Sequence, residues 1–172
     1  RDGNRDLVFA PQGVYPTAGD DAWIAVSCTD DGAWATLCAD MGRPDLAGLD
    51  VSARRARHDE LDDVLAGWTS AHDGVALMND LQAKGVAAHI VQNSEELMVD
   101  PQLAHREHLV EAAHAKQDTT VIEGSRFRLS RTTAVVKRGG PTFGEHTFEI
   151  LTATLGYDGD RIADLAAAEL LE

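Results

Sequence analysis

The residues of this chain that could do covalent or metal chemistry are seven histidines, two cysteines and a scatter of serines. His105 and His108 stand three apart after Pro101, with Glu107 between them, a spacing that on one helical face could hold zinc. The order is not His-Glu-x-x-His and no third ligand stands at a recognisable distance, so the expectation is a surface pair. Ser27, Ser52, Ser70, Ser94, Ser125 and Ser130 include no Gly-x-Ser-x-Gly elbow, which leaves an acyl-serine hydrolase without support. Cys28 ends an extended run just before a helix start, where a thiol pKa can fall, but packing is the favoured reading. Cys28 and Cys38 have no metal-type spacing and are expected as free buried thiols of a cytoplasmic protein. Gly3, Gly13 and Gly19 spell neither a P-loop nor a dinucleotide fingerprint.

The most informative local motif is Gly139-Gly140-Pro141-Thr142-Phe143-Gly144-Glu145-His146-Thr147. Gly139, Gly140 and Gly144 supply backbone freedom and Pro141 limits it, which reads as a hinge. Glu145 is expected in the first turn of the following helix, at the positive end of its dipole, with His146 beside it. His146 is read as an interface residue that makes hydrogen bonds, not as a proton-transfer catalyst.

These residues are carried by elements legible from periodicity and punctuation. Residues 1–13 have little pattern and read as a loop or severed connection. Val14–Thr17 and Trp23–Ser27 read as two strands, with hairpin chemistry in Ala18-Gly19-Asp20-Asp21. Thr29 or Asp30 caps a helix whose apolar residues Trp34, Leu37, Cys38 and Met41 recur at three and four, and which ends at Gly42. Helices are expected over about 59–68 and 73–84, the second stopping at Gly85 before a buried strand from Val86 to Val91. Asn93 or Ser94 caps a further turn, and Asp100-Pro101 opens another helix. Extended segments follow at about 109–113 and 119–123. Two closing helices span Glu145–Leu155 and, capped by Asp158, the run to Leu171.

Fifteen basic against twenty-nine acidic residues give a net charge of −14 in 172 residues. The densest basic run, Arg54-Arg55-Ala56-Arg57, is followed at once by Asp59, Glu60, Asp62 and Asp63, and a solvated helix face is expected there. With no Lys/Arg-rich stripe read elsewhere, nucleic-acid binding is not expected. Apolar runs such as Val86–Val91 are too short to cross a bilayer, and the charged start RDGNRD has no apolar segment behind it, so neither a membrane span nor a secretory leader is expected. A first residue that is Arg rather than Met fits a processed, trimmed or excised segment.

Taken in order, several pieces together resemble a known family. They are Gly13-Val14-Tyr15-Pro16, Gly19-Asp20-Asp21-Ala22-Trp23-Ile24-Ala25-Val26, Gly42-Arg43-Pro44-Asp45-Leu46, the stretch from Arg54 to Glu60, Leu81-Gln82-Ala83-Lys84-Gly85-Val86, Asp100-Pro101-Gln102-Leu103 and Gly144-Glu145-His146-Thr147. In this order and spacing the chain, from about Gln12 to Glu172, resembles the carboxyl-terminal half of a family III CoA-transferase.

That resemblance implies an α/β fold: a small α+β domain over 14–138, then a hinge and helical tail over 139–172 that packs on a large domain or a partner. It implies an interlocked dimer and a CoA thioester as substrate of the complete enzyme, with no bound cofactor and no metal. It also implies an aspartyl nucleophile that attacks the acyl-CoA carbonyl. The nucleophile and the residues that hold the CoA adenine and pyrophosphate belong to the family's amino-terminal half, and no aspartate here matches that motif. The family's glycine-rich lid should fall around residues 1–13, where this chain departs from the pattern with only Gly3 and Gly13, so a lid is not expected there. The expected partner is therefore a large-domain half or second subunit, in a homo- or hetero-oligomer, and the isolated chain is expected to be inactive. Two alternatives are an α-methylacyl-CoA racemase-like enzyme, which the Gly144–Thr147 box disfavours, and a non-catalytic scaffold subunit with the same fold.

Overall fold

The two runs of β-formers around Gly19 pair as read from the sequence. In the computed structural model, which describes residues 3–171, β1 (Gln12–Pro16) is antiparallel to β2 (Trp23–Ser27), which also pairs with β3 (Ala87–Ile90). Alternation puts Tyr15, Ile24, Val26 and Ala88 on one buried face, as the two-residue period of a strand requires. Four helices lie between β2 and β3: α1 (Asp31–Asp40), α2 (Val51–Ala56), α3 (His58–Thr69) and α4 (Gly74–Ala83). Asp30, Asp50 and Asp73 cap α1, α2 and α4 through side-chain bonds to backbone N–H groups, which satisfies donors left over at a helix start. Gly42 and Gly85 end their helices at positive φ.

The inward faces of these helices make one core with the sheet. Trp34, Leu37 and Cys38 of α1, Leu61 and Leu65 of α3, and Leu77 and Leu81 of α4 join Ile24 and Val26 in a continuous buried cluster. Each such leucine contributes on the order of 1.5–3 kcal/mol on burial. This cluster holds the first unit together.

One expectation fails here. Arg54 is not on a solvated face: it is 1% exposed, although its neighbour Arg55 is exposed. Its guanidinium donates to the Ala10 carbonyl at 2.5 Å, to the Leu49 carbonyl at 2.7 Å and to Asp31 at 2.7 Å, and it lies over the Trp34 ring. A charge so placed is tolerable because Nε and Nη1 find three acceptors, one of them a carboxylate. The charge run in the sequence hid one residue that points inward.

The chain divides after Gln92 into two compact units; the boundary read from the sequence at 138/139 falls inside the second. That unit begins with α5 (Ser94–Met98), closed by a capping box between Asn93 and Glu96, and α6 (Pro101–His105), capped by Asp100. The extended segments pair as an antiparallel hairpin of β4 (Leu109–His114) and β5 (Asp118–Glu123). The helix expected over Glu145–Leu155 is shorter and partly distorted. Its α-helical part, α7, covers Thr147–Glu149 and continues as a π-helical turn over Ile150–Thr154. An i→i−5 bond of this turn runs from the Leu155 N–H to the Ile150 carbonyl. Asp158 caps α8 (Gly159–Ala167). Among the described residues no helix is long and apolar enough to cross a membrane.

Candidate functional site

The face of the first sheet turned away from the helices is open, and it floors a groove of about 720 Å³. Strand register sets its rows: Gln12 beside Ser27 beside Ala87, then Val14 beside Ala25 beside His89. The segment Gly3–Arg5 and the Gln82 amide also reach this groove. Most of its polar groups are tied down. The Ser27 hydroxyl donates to Gln12 Oε1 at 3.1 Å, Gln12 Nε2 donates to the Asn4 carbonyl at 3.2 Å, and Gln82 Nε2 donates to the Ala88 carbonyl at 2.7 Å. His89 Nδ1 meets the Ile90 carbonyl. Among the described residues no base contacts the Ser27 hydroxyl, so they do not assemble an activated nucleophile here. The groove can orient a bound molecule through amides and a guanidinium, Arg5, itself bonded to Asp59.

A second polar constellation links β1 to α3. The Tyr15 hydroxyl donates to Asp62 Oδ1 at 2.8 Å, and His58 Nδ1 lies 3.0 Å from Asp62 Oδ2. Burial, and then the bond to Asp62, push the Tyr15 phenol far above its usual range. Such a phenol is a poor acid at neutral pH. His58 is 7% exposed, and its Nε2 has no hydrogen-bond partner among the described residues. The sequence shows Tyr15 and Asp62 only as members of separate elements 47 positions apart. The only part of this constellation with a local signal is the His58–Asp62 pair, at an i, i+4 spacing on a helix.

Several residues singled out in the sequence stand apart from this groove. Cys28 and Cys38 are free, buried thiols, and burial raises them to about 12 and about 11. His105 and His108 do not share a helical face, which corrects the reading that put both on one helix. α6 ends at His105, Glu107 takes a positive φ of 52°, and the His108 N–H turns back to the Leu103 carbonyl. Among the described residues no group of three or more His, Cys, Asp or Glu could hold a metal ion.

The Gly139–Thr147 box is built differently from a helix entrance. The Gly139 N–H donates to the Ala113 carbonyl at 2.9 Å, and a Cβ there would meet that oxygen and Thr120 Cγ2 at 2.9 Å. This glycine is needed for close approach to the hairpin. Gly140 lies in open space, and Gly144 has a φ of 71°. Glu145 precedes α7 and turns back, accepting from the Thr142 N–H at 2.7 Å and the Thr142 hydroxyl at 3.1 Å. Those bonds hold its carboxyl below the usual range. The positive φ at Gly144 delays the helix to Thr147, so Glu145 satisfies a turn and not the helix dipole. His146 occupies the cap position of α7, half-buried, without a side-chain cap bond.

Comparison with known proteins places this geometry. The family model described as CoA-transferase family III matches residues 1–147. The chain is 30% identical, over 99% of its own length and 43% of the relative's, to succinyl-CoA–D-citramalate CoA-transferase of Chloroflexus aurantiacus. It is 28% identical, over 99% of its length and 44% of the relative's, to the succinyl-CoA–L-malate CoA-transferase beta subunit of the same organism. A crystal structure of a CaiB/BaiF family protein from Brucella suis superposes with a TM-score of 0.73, at 22% identity, over 89% of this chain and 40% of that one. The chain thus spans less than half the length of the relatives it matches.

Proposed function

The chain belongs to CoA-transferase family III, and on that premise we propose that it is the carboxyl-terminal portion, or the small subunit, of an enzyme that moves CoA between an acyl-CoA and a carboxylic acid. The observation that carries this reading is the coverage: the likeness runs along 99% of the chain yet over 43% of the relative. The attacking aspartate then comes from the part of the enzyme that this chain does not span. Its carboxylate attacks the acyl-CoA carbonyl and expels CoA thiolate to give a mixed anhydride. The thiolate attacks the aspartyl carbonyl and expels the donor acid, leaving an aspartyl-CoA thioester. The acceptor carboxylate then expels CoA from that thioester, and the thiolate cleaves the new anhydride to give the new acyl-CoA and the free aspartate. The open groove of the first unit supports a role as a wall of the thioester site, since its polar groups are fixed and none is poised as a nucleophile.

The named relatives act on succinyl-CoA with D-citramalate or L-malate, and we assign this chain the same chemical class of partners, a CoA thioester and a small dicarboxylic acid. Residues 14–138 serve as the small domain. Residues 139–172 form a hinge and tail that pack on the large domain of an interlocked, cytoplasmic dimer. The exposed Phe143, Phe148, Leu155 and Leu170 support that packing, because apolar surface of this extent tends to mark an interaction site.

The test is turnover. Purified chain incubated with succinyl-CoA and citramalate or malate should transfer no CoA. Adding a separately produced amino-terminal half of a family member should restore transfer. Turnover by this chain alone, free of a copurifying partner, would refute the assignment of the nucleophile to another polypeptide.

A further inference from the structure

Two grooves of the first unit meet along one short segment. The open sheet face floors the groove of about 720 Å³, and a second groove of about 560 Å³ lies between β1 and α3. Gly3, Asn4 and Arg5 line both, so this segment stands as a partition between them. The chemistry on its two sides differs. Among the described residues no carboxylate lines the first groove, whereas Asp62 and Asp63 line the second. A CoA thioester carries phosphate charges, so it suits the first side and is repelled by the second.

The partition is held from both β1 and α3. Gln12 Nε2 donates to the Asn4 carbonyl at 3.2 Å. The Arg5 guanidinium donates to Asp59 and lies 3.7 Å from Asp62 Oδ2. Of these two carboxylates, Asp59 has a side chain 87% exposed, and Asp62, at 30%, is the one the core holds. The Tyr15 hydroxyl donates to Asp62 Oδ1 at 2.8 Å, and His58 Nδ1 lies 3.0 Å from Oδ2. An ionised carboxylate only accepts, so His58 donates from Nδ1. Both donors are buried, and packing fixes them. A core tyrosine and a core histidine thus set where Asp62 stands, and Asp62 sets where Arg5 stands.

We propose that Asp62 is a positioning residue for the thioester groove: through Arg5 it keeps the Gly3–Arg5 partition in place. The inference rests on the reading of this groove as a wall of the CoA-thioester site, and it names the device that shapes that wall. Asp62 touches no substrate in this role. An ion pair between two flexible, exposed side chains is worth little, because ordering both offsets the attraction. Here one partner is preset by two buried donors, so less ordering remains to be done. Without the Asp62 charge the partition rests on Gln12 and Asp59 alone among these contacts, and the thioester side opens toward Asp63. The consequence is a weaker hold on a polyanionic ligand with the chemical step untouched, since the nucleophile comes from elsewhere.

Two measurements test this, the first without substrate. Trypsin must take the Arg5 side chain to cut between Arg5 and Asp6, so that cut reports release of the guanidinium. In the isolated chain Asp62→Asn should speed it about threefold or more relative to the cut after Arg128, which lies in the second unit. Tyr15→Phe should speed it less. An unchanged ratio overturns the proposal, and so does equal acceleration at both sites, which would mean general loosening. The second measurement uses the chain combined with a separately produced nucleophile-bearing half. Asp62→Asn should raise KM for succinyl-CoA about threefold or more and keep kcat within about twofold. Arg5→Gln should raise KM likewise, and Arg5→Lys, which keeps the charge, should raise it less. Asp62→Asn added to Arg5→Gln should raise KM no further, because the two residues act as one unit. A rise from Asp62→Asn that is as large without Arg5 as with it would make the aspartate a residue of the fold alone and overturn the proposal. A loss confined to kcat would overturn it too. If the natural chain with its nucleophile-bearing half shows no turnover, the CoA-transferase reading falls, and the cut at Arg5 still decides whether Asp62 sets the partition.

Discussion

Through Gln92 a continuous cluster from Tyr15 to Ala88 is closed to solvent, whereas among the described residues beyond it only Asp100 and Ala112 are buried. The same local devices serve both units: Asp and Asn caps, a capping box, positive-φ glycines and antiparallel pairing. Local devices specify elements, but burial of apolar surface supplies most of the free energy that holds elements together. Phe143, at 85% exposed, and Leu170, at 69%, have nothing covering them. The contrast teaches that the first unit carries its stability within itself, and the second has apolar surface left over for something else to cover.

The sharpest way to break this contrast is a matched pair of truncations. Trp34→Ala should cost about 4 kcal/mol in urea unfolding, from lost burial and a cavity. It also removes the indole donor to the Leu46 carbonyl and the ring beneath Arg54. Phe143→Ala in the isolated chain should stay within about 0.5 kcal/mol. Equal losses would show that the second unit has a core of its own.

Arg54→Ala comes next, at about 3 kcal/mol, because it strips the donor from the buried Ala10 carbonyl, at about 1–3 kcal/mol, and another from the partly buried Leu49 carbonyl. The control is Arg57→Ala, whose pair with Glu60 lies on the surface and should be worth no more than about 1 kcal/mol. Thermal melts of the two variants separate a buried cation from a solvated one within a single charge run.

That run also marks the limit of what the sequence could show. Elements were legible because their signals are local: Thr29 or Asp30, and Asp158, as caps, Gly42 and Gly85 as stops, and Gly19 between two strands. The burial of Arg54 was not legible, since it depends on carbonyls 44 and 5 positions away and on Trp34. The pairing of His105 with His108 failed on a positive φ at Glu107, a residue type that rarely takes one. At the candidate site, alternation in Trp23–Ser27 implied two faces without saying which the helices would cover. Gly139 was visible as a glycine, but its reason, the Ala113 carbonyl, is on a hairpin whose pairing had not been read.

A smaller effect follows from pH. Burial raises the Cys28 thiol from 9.0 to about 12, so the folded state keeps it protonated where the unfolded state ionises. A raised folded pKa gives stability that is present below pH 9 and lost as pH rises from 9 toward 12. At pH 10 the loss is roughly 1.4 kcal/mol for this one group. The difference in unfolding free energy between the natural chain and Cys28→Ala should shrink by that amount between pH 8 and pH 10. A difference that is flat with pH would mean that the first unit opens around α1 more readily than its core implies.

The smallest expected effect bears on the second unit. His146 caps α7 without a side-chain bond and is half-buried, so His146→Gln should change the stability of the isolated chain by less than about 0.5 kcal/mol. In an enzyme reconstituted with its nucleophile-bearing half the same substitution should weaken assembly by about 1–2 kcal/mol, the worth of a lost interface hydrogen bond. Turnover per assembled enzyme should survive, because no nucleophile candidate read from the sequence stands beside His146. The readouts are titration of one half with the other and turnover at saturation. An assembly of normal affinity that loses about a hundredfold or more in turnover would mean that His146 moves a proton, and that the uncovered surface of the second unit faces substrate instead of protein.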